Sequence, residues 1–514
     1  MYTQNSNKSI PKKFVISSLL GIIILGLIFR YIFFPYDIPL ILDSSGYFWY
    51  AIDTKLLLNF PSNHDLPNNL WPTILSIFFI FTDSDNFMDF MNIQRNLSIF
   101  FSVLTVIPIY FLAKKFFKQE IAIFAPLIFV LEPRIIANSL IGVTEPMYLF
   151  FVVSTLALFF SNNKNLVLSS FVLAGIFCLV RYEGLMMIFP MVFLIFYRYR
   201  KNKKKILYPI IAIIIFLIVI TPMSLIKTET MGYDGIFSHV GKGAINTGQG
   251  NFLDNPENEK KKIFFELGFE KFFKLFGWIL IPIFFIFMPL GLFSFFKKPC
   301  NSKWELVIIG IFAIIPALYA YSRGISDTRY LLVLYPILTI FSLGAIQWIE
   351  SRWKFYINIK IFVIGFILIA SFTFLYLQND NEHQLEAYTI IKDNIKNIDI
   401  ANDPYPLSVF FRTAILNFED FPQQSDLITH TLLLKTDQYE TIFDFLKSEN
   451  GKTATHIIVD DSPSRSPFLI EIYENESKFP FLIKQYDSRD YDFTYHVKIF
   501  KIDKSKLSEL ELYN

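Results

Sequence analysis

Four short clusters of charge interrupt long apolar stretches, and their residue types belong to acid–base and phosphate chemistry. The first is Asp43, in Ile41-Leu42-Asp43-Ser44-Ser45-Gly46-Tyr47-Phe48-Trp49-Tyr50-Ala51, with Asp53 close behind. Glu132 and Glu145 follow, the latter in Thr144-Glu145-Pro146. The third is Arg181-Tyr182-Glu183-Gly184, and the fourth holds Asp327, Arg329 and Tyr330. A carboxylate near a membrane interface can act as general base toward an incoming hydroxyl or amine. Arginines can grip a phosphate through paired, charge-assisted hydrogen bonds and stabilise it as it leaves. Tyr and Trp beside Asp43 suit stacking against a sugar, although they also suit an interfacial aromatic belt.

Each cluster also has a plainer reading. Asp43 before two serines is ordinary N-cap chemistry. Glu145 before Pro146 is a first-turn charge favoured by the helix dipole. Arg181 and Glu183 can close a hairpin as a simple ion pair, and Arg329 can snorkel to a boundary. The chemical reading rests on convergence, because charges at lipid depth are costly and usually face a cavity and one another.

The elements that must position these residues are membrane spans. The chain has 514 residues, of which 53% are hydrophobic and 18% charged, with 60 Phe, too little polar surface for a soluble protein of this size. A net charge of +2 argues against nucleic acid as the main partner. Cys178 lies in an apolar stretch and Cys300 in a basic loop, which predicts no disulfide framework. The run from Phe14 to about Phe34 follows Lys8, Lys12 and Lys13; it is too long for a cleaved signal and reads as a first helix. Apolar segments follow at 92–113, 121–137, 146–160, 166–180, 185–197, 206–226, 276–296, 305–321, 329–349 and 359–377, predicting about eleven spans.

With a cytoplasmic N-terminus, every short inside loop is basic: Lys114, Lys115 and Lys118; Lys164; Arg198 to Lys205; Lys297, Lys298 and Lys303; Arg352, Lys354 and Lys360. The acid and arginine clusters then share the outer side. Within the first outer loop, 35–91, the apolar piece Leu70–Phe81 is short for a span and reads as an interfacial or re-entrant helix. Residues 378–514 are polar, with a helical pattern near 382–398 and strand-like runs at Ile457–Val459 and His496–Phe500. The expected architecture is therefore an α-helical, multi-pass plasma-membrane protein over 1–377 with a small α/β extracytoplasmic domain over 378–514. The sequence singles out no cofactor; a divalent metal ion stays open, and no Cys/His cluster has zinc-ligand spacing.

The first loop with Asp43 and Tyr47, Thr144-Glu145-Pro146, the Arg181-Tyr182-Glu183-Gly184 turn and Arg329-Tyr330-Leu331 resemble, in order and topology, the GT-C glycosyltransferases. The branch most alike is that of dolichyl-phosphate-mannose–protein mannosyltransferases and aminoarabinose transferases. The resemblance covers 1–377 and implies an inverting transferase that takes a sugar from a polyprenyl-phosphate donor to a protein, lipid or glycan acceptor among the membrane lipids. It implies Asp43 as catalytic base and Glu145 as a second acidic position, with Arg181, Glu183, Arg329, Tyr330 and Tyr47 binding the donor phosphate and substrate. Two departures stand out. Asp43-Ser44 replaces the Asp-Glu pair of the protein mannosyltransferases, and there is no Trp-Trp-Asp motif of the oligosaccharyltransferase catalytic subunit. The outer loop 227–275, with Gly232, Gly235, Gly241, Gly243, Gly248 and Gly250, reads equally as a mobile cover over the donor or as ordinary disorder. The alternatives from other classes are a transporter or lipid flippase, which calls for midplane charges in matched repeats, and a scaffold presenting the C-terminal domain.

Overall fold

The computed structural model describes residues 11–389 and 439–509, apart from 41–42, 62–65, 67, 85, 203–204, 249–263, 298–299, 353–358, 383, 387–388, 449–450, 452–455, 462–465, 492 and 495. It is a mostly helical, multi-pass membrane architecture with a small α/β region at its C-terminal end. Two compact units divide it: 1–34, 60–77 and 93–378 form one, and 35–59, 78–92 and 379–514 form the other.

The first unit opens with α1 (Lys12–Ile32). Part of α3 (Leu70–Ile80) and of α4 (Phe87–Leu104) belongs to it, followed by α5 (Val106–Ala113), α6 (Gln119–Ala122), α7 (Phe124–Val130) and α8 (Pro133–Leu140). Next come α9 (Glu145–Phe159), α10 (Lys164–Val180), α11 (Leu185–Arg198) and α12 (Leu207–Met231). The last are α13 (Phe237–Gly248), α14 (Phe264–Leu280), α15 (Phe284–Phe296), α16 (Asn301–Ser322), α17 (Tyr335–Arg352) and α18 (Ile359–Leu377). Among the described residues six helices are long and apolar enough to cross a membrane, or seven if a bent pair counts as one; shorter apolar helices accompany them.

Sequence and structure differ where a helix breaks. The stretch 121–137 is not continuous: Glu132 caps α8, accepting from the backbone N–H groups of Arg134 and Ile135 at 2.8 and 3.0 Å, with Pro133 at the first helical position. The stretch 276–296 is bent by 102° between α14 and α15, and Arg134 donates to the carbonyl of Ile281 at that break. Hydropathy does not show the second break, since the residues on both sides are equally apolar; the first is marked in the sequence by Glu132-Pro133-Arg134. In the glycine-rich stretch, α12 stops at Gly232, whose φ of 78° is the left-handed C-terminal cap. Gly235 stays in the turn before α13, with a φ of 79°, while Gly241, Gly243 and Gly248 lie within that helix. The 249–263 part of that stretch lies outside the described residues, as does most of 382–398.

Two side-chain locks pin the bundle. Arg30 is fully buried and donates to Ser139 Oγ (3.0 Å), Gly26 O (2.9 Å), Val130 O (3.1 Å) and Ser102 Oγ (2.7 Å), tying α1 to α4, α7 and α8. Arg198 closes on Glu305 of α16 through Nε and Nη2, and donates to the Phe159 carbonyl at 2.7 Å. Elsewhere small residues do the work: a Cβ on Gly344 would come within 2.5 Å of the Gly291 carbonyl, so α15 and α17 touch backbone to backbone.

In the second unit α2 (Asp43–Leu57) buries Phe48 against the rings of Trp49, Phe79 and Phe87. Lys55 donates to the Thr82 carbonyl at 3.0 Å. The C-terminal part is a three-stranded antiparallel sheet ordered β1-β3-β2, with β1 His456–Asp460, β2 Leu482–Asp487 and β3 Val497–Ile502. Two of these strands match the runs read from sequence; β2, which carries a bulge between Lys484 and Tyr486, does not alternate cleanly and was invisible to that reading. Helices Ile442–Lys447 and Pro467–Glu474 supply Phe445, Leu446, Phe468 and Ile472 to the core under the sheet. Cys178 is buried and Cys300 exposed, and both are free.

Candidate functional site

Three helix ends of the first unit deliver the site. Arg181 terminates α10 in an extended conformation, and Tyr182–Gly184 then form a single 3-10 turn before α11. Gly184 permits that turn: a Cβ there would strike the Phe177 ring at 2.5 Å. Glu145 lies in the first turn of α9 and is 3% exposed. Asp327 caps the 3-10 segment Thr328–Leu334 by accepting from the Arg329 backbone N–H at 2.8 Å, which places Arg329 and Tyr330 at its start.

Glu145 Oε1 joins these ends. It accepts from Arg181 Nη1 and lies 3.8 Å from Arg329 Nη1. Arg181 Nη2 donates to Glu183 Oε1 at 2.8 Å, and its guanidinium sits 5.8 Å from the Tyr330 ring centroid. Arg329 Nε donates to Asp327 Oδ2 at 2.7 Å. Thr144 Oγ1 completes the group, 3.3 Å from Glu145 Oε2 and 3.4 Å from Arg181 Nη1. Three carboxylates thus face two guanidiniums, and the mutual pairing is what permits this much charge among apolar helices. Behind them, the Asn68 side chain accepts from the Tyr182 backbone N–H at 2.9 Å. Burial, with the Glu183 charge next, raises the Tyr182 phenol above its ordinary value and keeps it a proton donor.

Two cavities adjoin this network. One of about 20 Å³, lined by Glu145, Arg181, Glu183, Arg329 and Tyr330, has room for about one water. The other, about 780 Å³, shares Glu183 and Tyr330 with it. Arg323, His239 and Tyr182 are on its polar wall, and α14 and α16 give it an apolar body that includes Phe264, Phe269 and Leu318. That volume and lining match a small-ligand or lipid pocket. Among the described residues no group of three or more His, Cys, Asp or Glu side chains is placed to hold a metal.

Five of the seven residues singled out in the sequence therefore meet: Glu145, Arg181, Glu183, Arg329 and Tyr330. Asp43 and Tyr47 belong to α2 of the second unit, where Asp43 is exposed in the first helical turn and Tyr47 is half-buried. Sequence reasoning missed His239 on the wall and Lys227 near it. Lys227 is buried at the end of α12, donates to the Leu66 carbonyl and sits 5.1 Å from the Tyr233 ring; Tyr233 in turn lies 5.6 Å from His239. Its signal was available: a lysine at the end of a span opposite the basic loops runs against the positive-inside bias.

Comparison with known proteins agrees with this architecture. A family model described as "Dolichyl-phosphate-mannose-protein mannosyltransferase" matches residues 87–226. No curated protein sequence matches the chain. The oligosaccharyltransferase of Archaeoglobus fulgidus, tethered to an acceptor peptide, is 13% identical with a TM-score of 0.55, over 94% of this chain and 74% of that one. The same enzyme with an inhibitory peptide and a dolichol-phosphate gives 13%, 0.50, 87% and 69%. ArnT from Cupriavidus metallidurans bound to undecaprenyl phosphate is 11% identical over 94% of this chain and 97% of that one, with a TM-score of 0.49. At such identities the feature this chain shares with the oligosaccharyltransferase is the fold.

Proposed function

We propose that the chain is an inverting glycosyltransferase that moves a sugar from a polyprenyl (dolichyl) phosphate to a protein, lipid or glycan acceptor on the outer face of the plasma membrane. In this reading the N-terminus is cytoplasmic and the chain after 377 is extracytoplasmic. The observation that carries it is the Arg181–Glu145–Arg329 network beside a cavity with an apolar body and a polar wall. A lipid-borne phosphate needs both, a place for its chain and fixed cations for its headgroup. The family model that matches 87–226 is named for a dolichyl-phosphate donor, and the oligosaccharyltransferase of the same fold was solved with a dolichol-phosphate.

The reaction is a single displacement. Asp43, to which the resemblance gives the role of base, takes the acceptor proton. The freed oxygen or nitrogen attacks the anomeric carbon from the face opposite the phosphate. The carbon–oxygen bond to phosphate breaks, its electron pair leaves with the lipid phosphate, and the sugar's configuration inverts. Arg181 and Arg329 receive the charge that builds on the leaving oxygen. Glu145, Glu183 and Asp327 hold both guanidiniums in place beforehand, so little ordering remains to be done at the transition state. Tyr330 and Tyr47 contact the sugar.

The test uses purified protein in proteoliposomes with radiolabelled polyprenyl-phosphate hexoses, with and without a divalent-metal chelator. Label should pass to an acceptor, and slowly to water, with release of free polyprenyl phosphate. Asp43→Asn should lower this by about 10²–10⁴ while inserting normally. Passage of intact labelled donor across the bilayer, with no cleavage of any donor, would replace the reading with that of a flippase.

A further inference from the structure

Residues 484–493 of the C-terminal α/β region carry a feature that the membrane site does not use. Among the described residues after 439, Ile483 and Tyr491 are the large hydrophobic side chains left exposed, Tyr491 at 57%. The Tyr491 ring stacks on Tyr486 with centroids 5.2 Å apart and planes at 14°, and Phe493 continues the row at 6.5 Å and 57°. Backbone hydrogen bonds join the described residues of this loop. Tyr491 N–H donates to Ser488 O at 3.1 Å, Phe493 N–H to Tyr491 O at 2.8 Å, and the Ser488 hydroxyl accepts from the Val497 backbone at 2.7 Å.

Polar groups adjoin these rings along the chain and are held by pairing. Arg489 grips Asp487 through Nε and Nη2 at 3.0 and 2.8 Å. Lys484 reaches Asp487 at 3.3 Å and Glu476 at 3.1 Å, and Lys498 meets Glu476 at 2.7 Å. Arg489 and Lys484 nevertheless keep 47% and 39% of their side chains exposed. Their donors are thus oriented and accessible, while the neighbouring carboxylates cancel most of their charge.

We infer that the Tyr486–Tyr491–Phe493 ledge is a binding site for a neutral oligosaccharide. A sugar ring presents an apolar C–H face, which suits the negative face of an exposed tyrosine, and a rim of hydroxyls, which suits fixed donors and acceptors. An anionic ligand would meet Asp487 and Glu476 as well as the cations and gain little. The inference rests on the glycosyltransferase reading only for what the bound chain is, namely the acceptor or product glycan.

The experiment titrates the full-length protein in nanodiscs with neutral mannose, glucose and cellulose oligosaccharides, followed by saturation-transfer NMR, and separately measures donor cleavage to water. At least one of these sugars should bind. Tyr491→Ala should weaken that binding by about tenfold, Tyr491→Trp should retain it, and neither should change donor cleavage. No binding by any sugar of the panel, or equal binding by Tyr491→Ala and wild type, overturns the inference. Sugar binding without any donor cleavage would sink the glycosyltransferase reading and leave this site standing.

Discussion

Arg30 and Arg181 both carry a guanidinium into a bundle of apolar helices, and the bundle answers them differently. Arg30 is sealed: four neutral oxygens from α1, α4, α7 and α8 take its hydrogen bonds, and none of it reaches solvent. Arg181 stays 16% exposed beside a cavity and is met by two carboxylates, one of which Arg329 also approaches. Neutral oxygens cannot be traded for a ligand without leaving buried groups unsatisfied, so the Arg30 nest can only hold helices together. A carboxylate pair beside a cavity can be rearranged by an incoming anion, because charge is exchanged for charge. The difference teaches that a buried arginine marks function through the company it keeps, not through burial.

The sharpest way to break that comparison is conservative substitution at both positions. Arg181→Lys keeps the charge and loses the fork, and transfer should fall by about 10²–10³ in radiolabel assays while thermal unfolding in detergent hardly moves. Glu145→Gln should come next. Losing the carboxylate between Arg181 and Arg329 removes a hydrogen bond to charge, and transfer should fall roughly ten- to a hundredfold. Unchanged kinetics in Glu145→Gln would mean that the two arginines do not act together. Arg30→Lys should do the reverse of Arg181→Lys: activity per folded molecule stays within a few-fold, and stability drops by about 1–3 kcal/mol in thermal unfolding. Were Arg30→Lys to lower turnover without lowering stability, the sealed nest would belong to the site after all.

The sequence foretold much of this and missed the rest for physical reasons. Apolar runs located the helices because burial among helices and lipid asks for composition alone, and the Arg181, Glu145 and Arg329 clusters stood out because charge is rare in such runs. The break between Leu280 and Phe284 was hidden, since Arg134 reaches a carbonyl there from a distant segment, whereas the break at Glu132 had a local sign, Glu132-Pro133, that counting apolar runs passes over. Arg30 lies inside the first apolar run and nothing there singled it out; its partners lie up to 109 residues away and no local pattern announces them. Glu305 and Arg198 were similar: Arg198 read as one of a basic run, while the structure gives it a carboxylate on α16. Strand β2 was missed because its bulge breaks the alternation on which strand reading depends.

The last prediction sets the membrane ion pairs against one in water. In the C-terminal region Arg489 donates to Asp487 through its side chain and its backbone N–H, and with the Lys484 ammonium it holds that carboxyl well below the usual carboxylate range, against a smaller push upward from burial. A carboxyl whose folded value is depressed stabilises the fold fully above its unfolded value of about 4, and the stabilisation fades as pH falls through the folded value. Wild type should therefore exceed Asp487→Asn in amide-exchange protection of Val497–Ile502 at neutral pH, by a margin that shrinks toward about pH 3. The effect should be small, because Arg489 is half in solvent and exposed pairs are weakly coupled. The absence of any margin at neutral pH would show that Asp487 acts through its capping of Ser488–Asp490 alone, since an asparagine cap keeps that bond while lacking the charge.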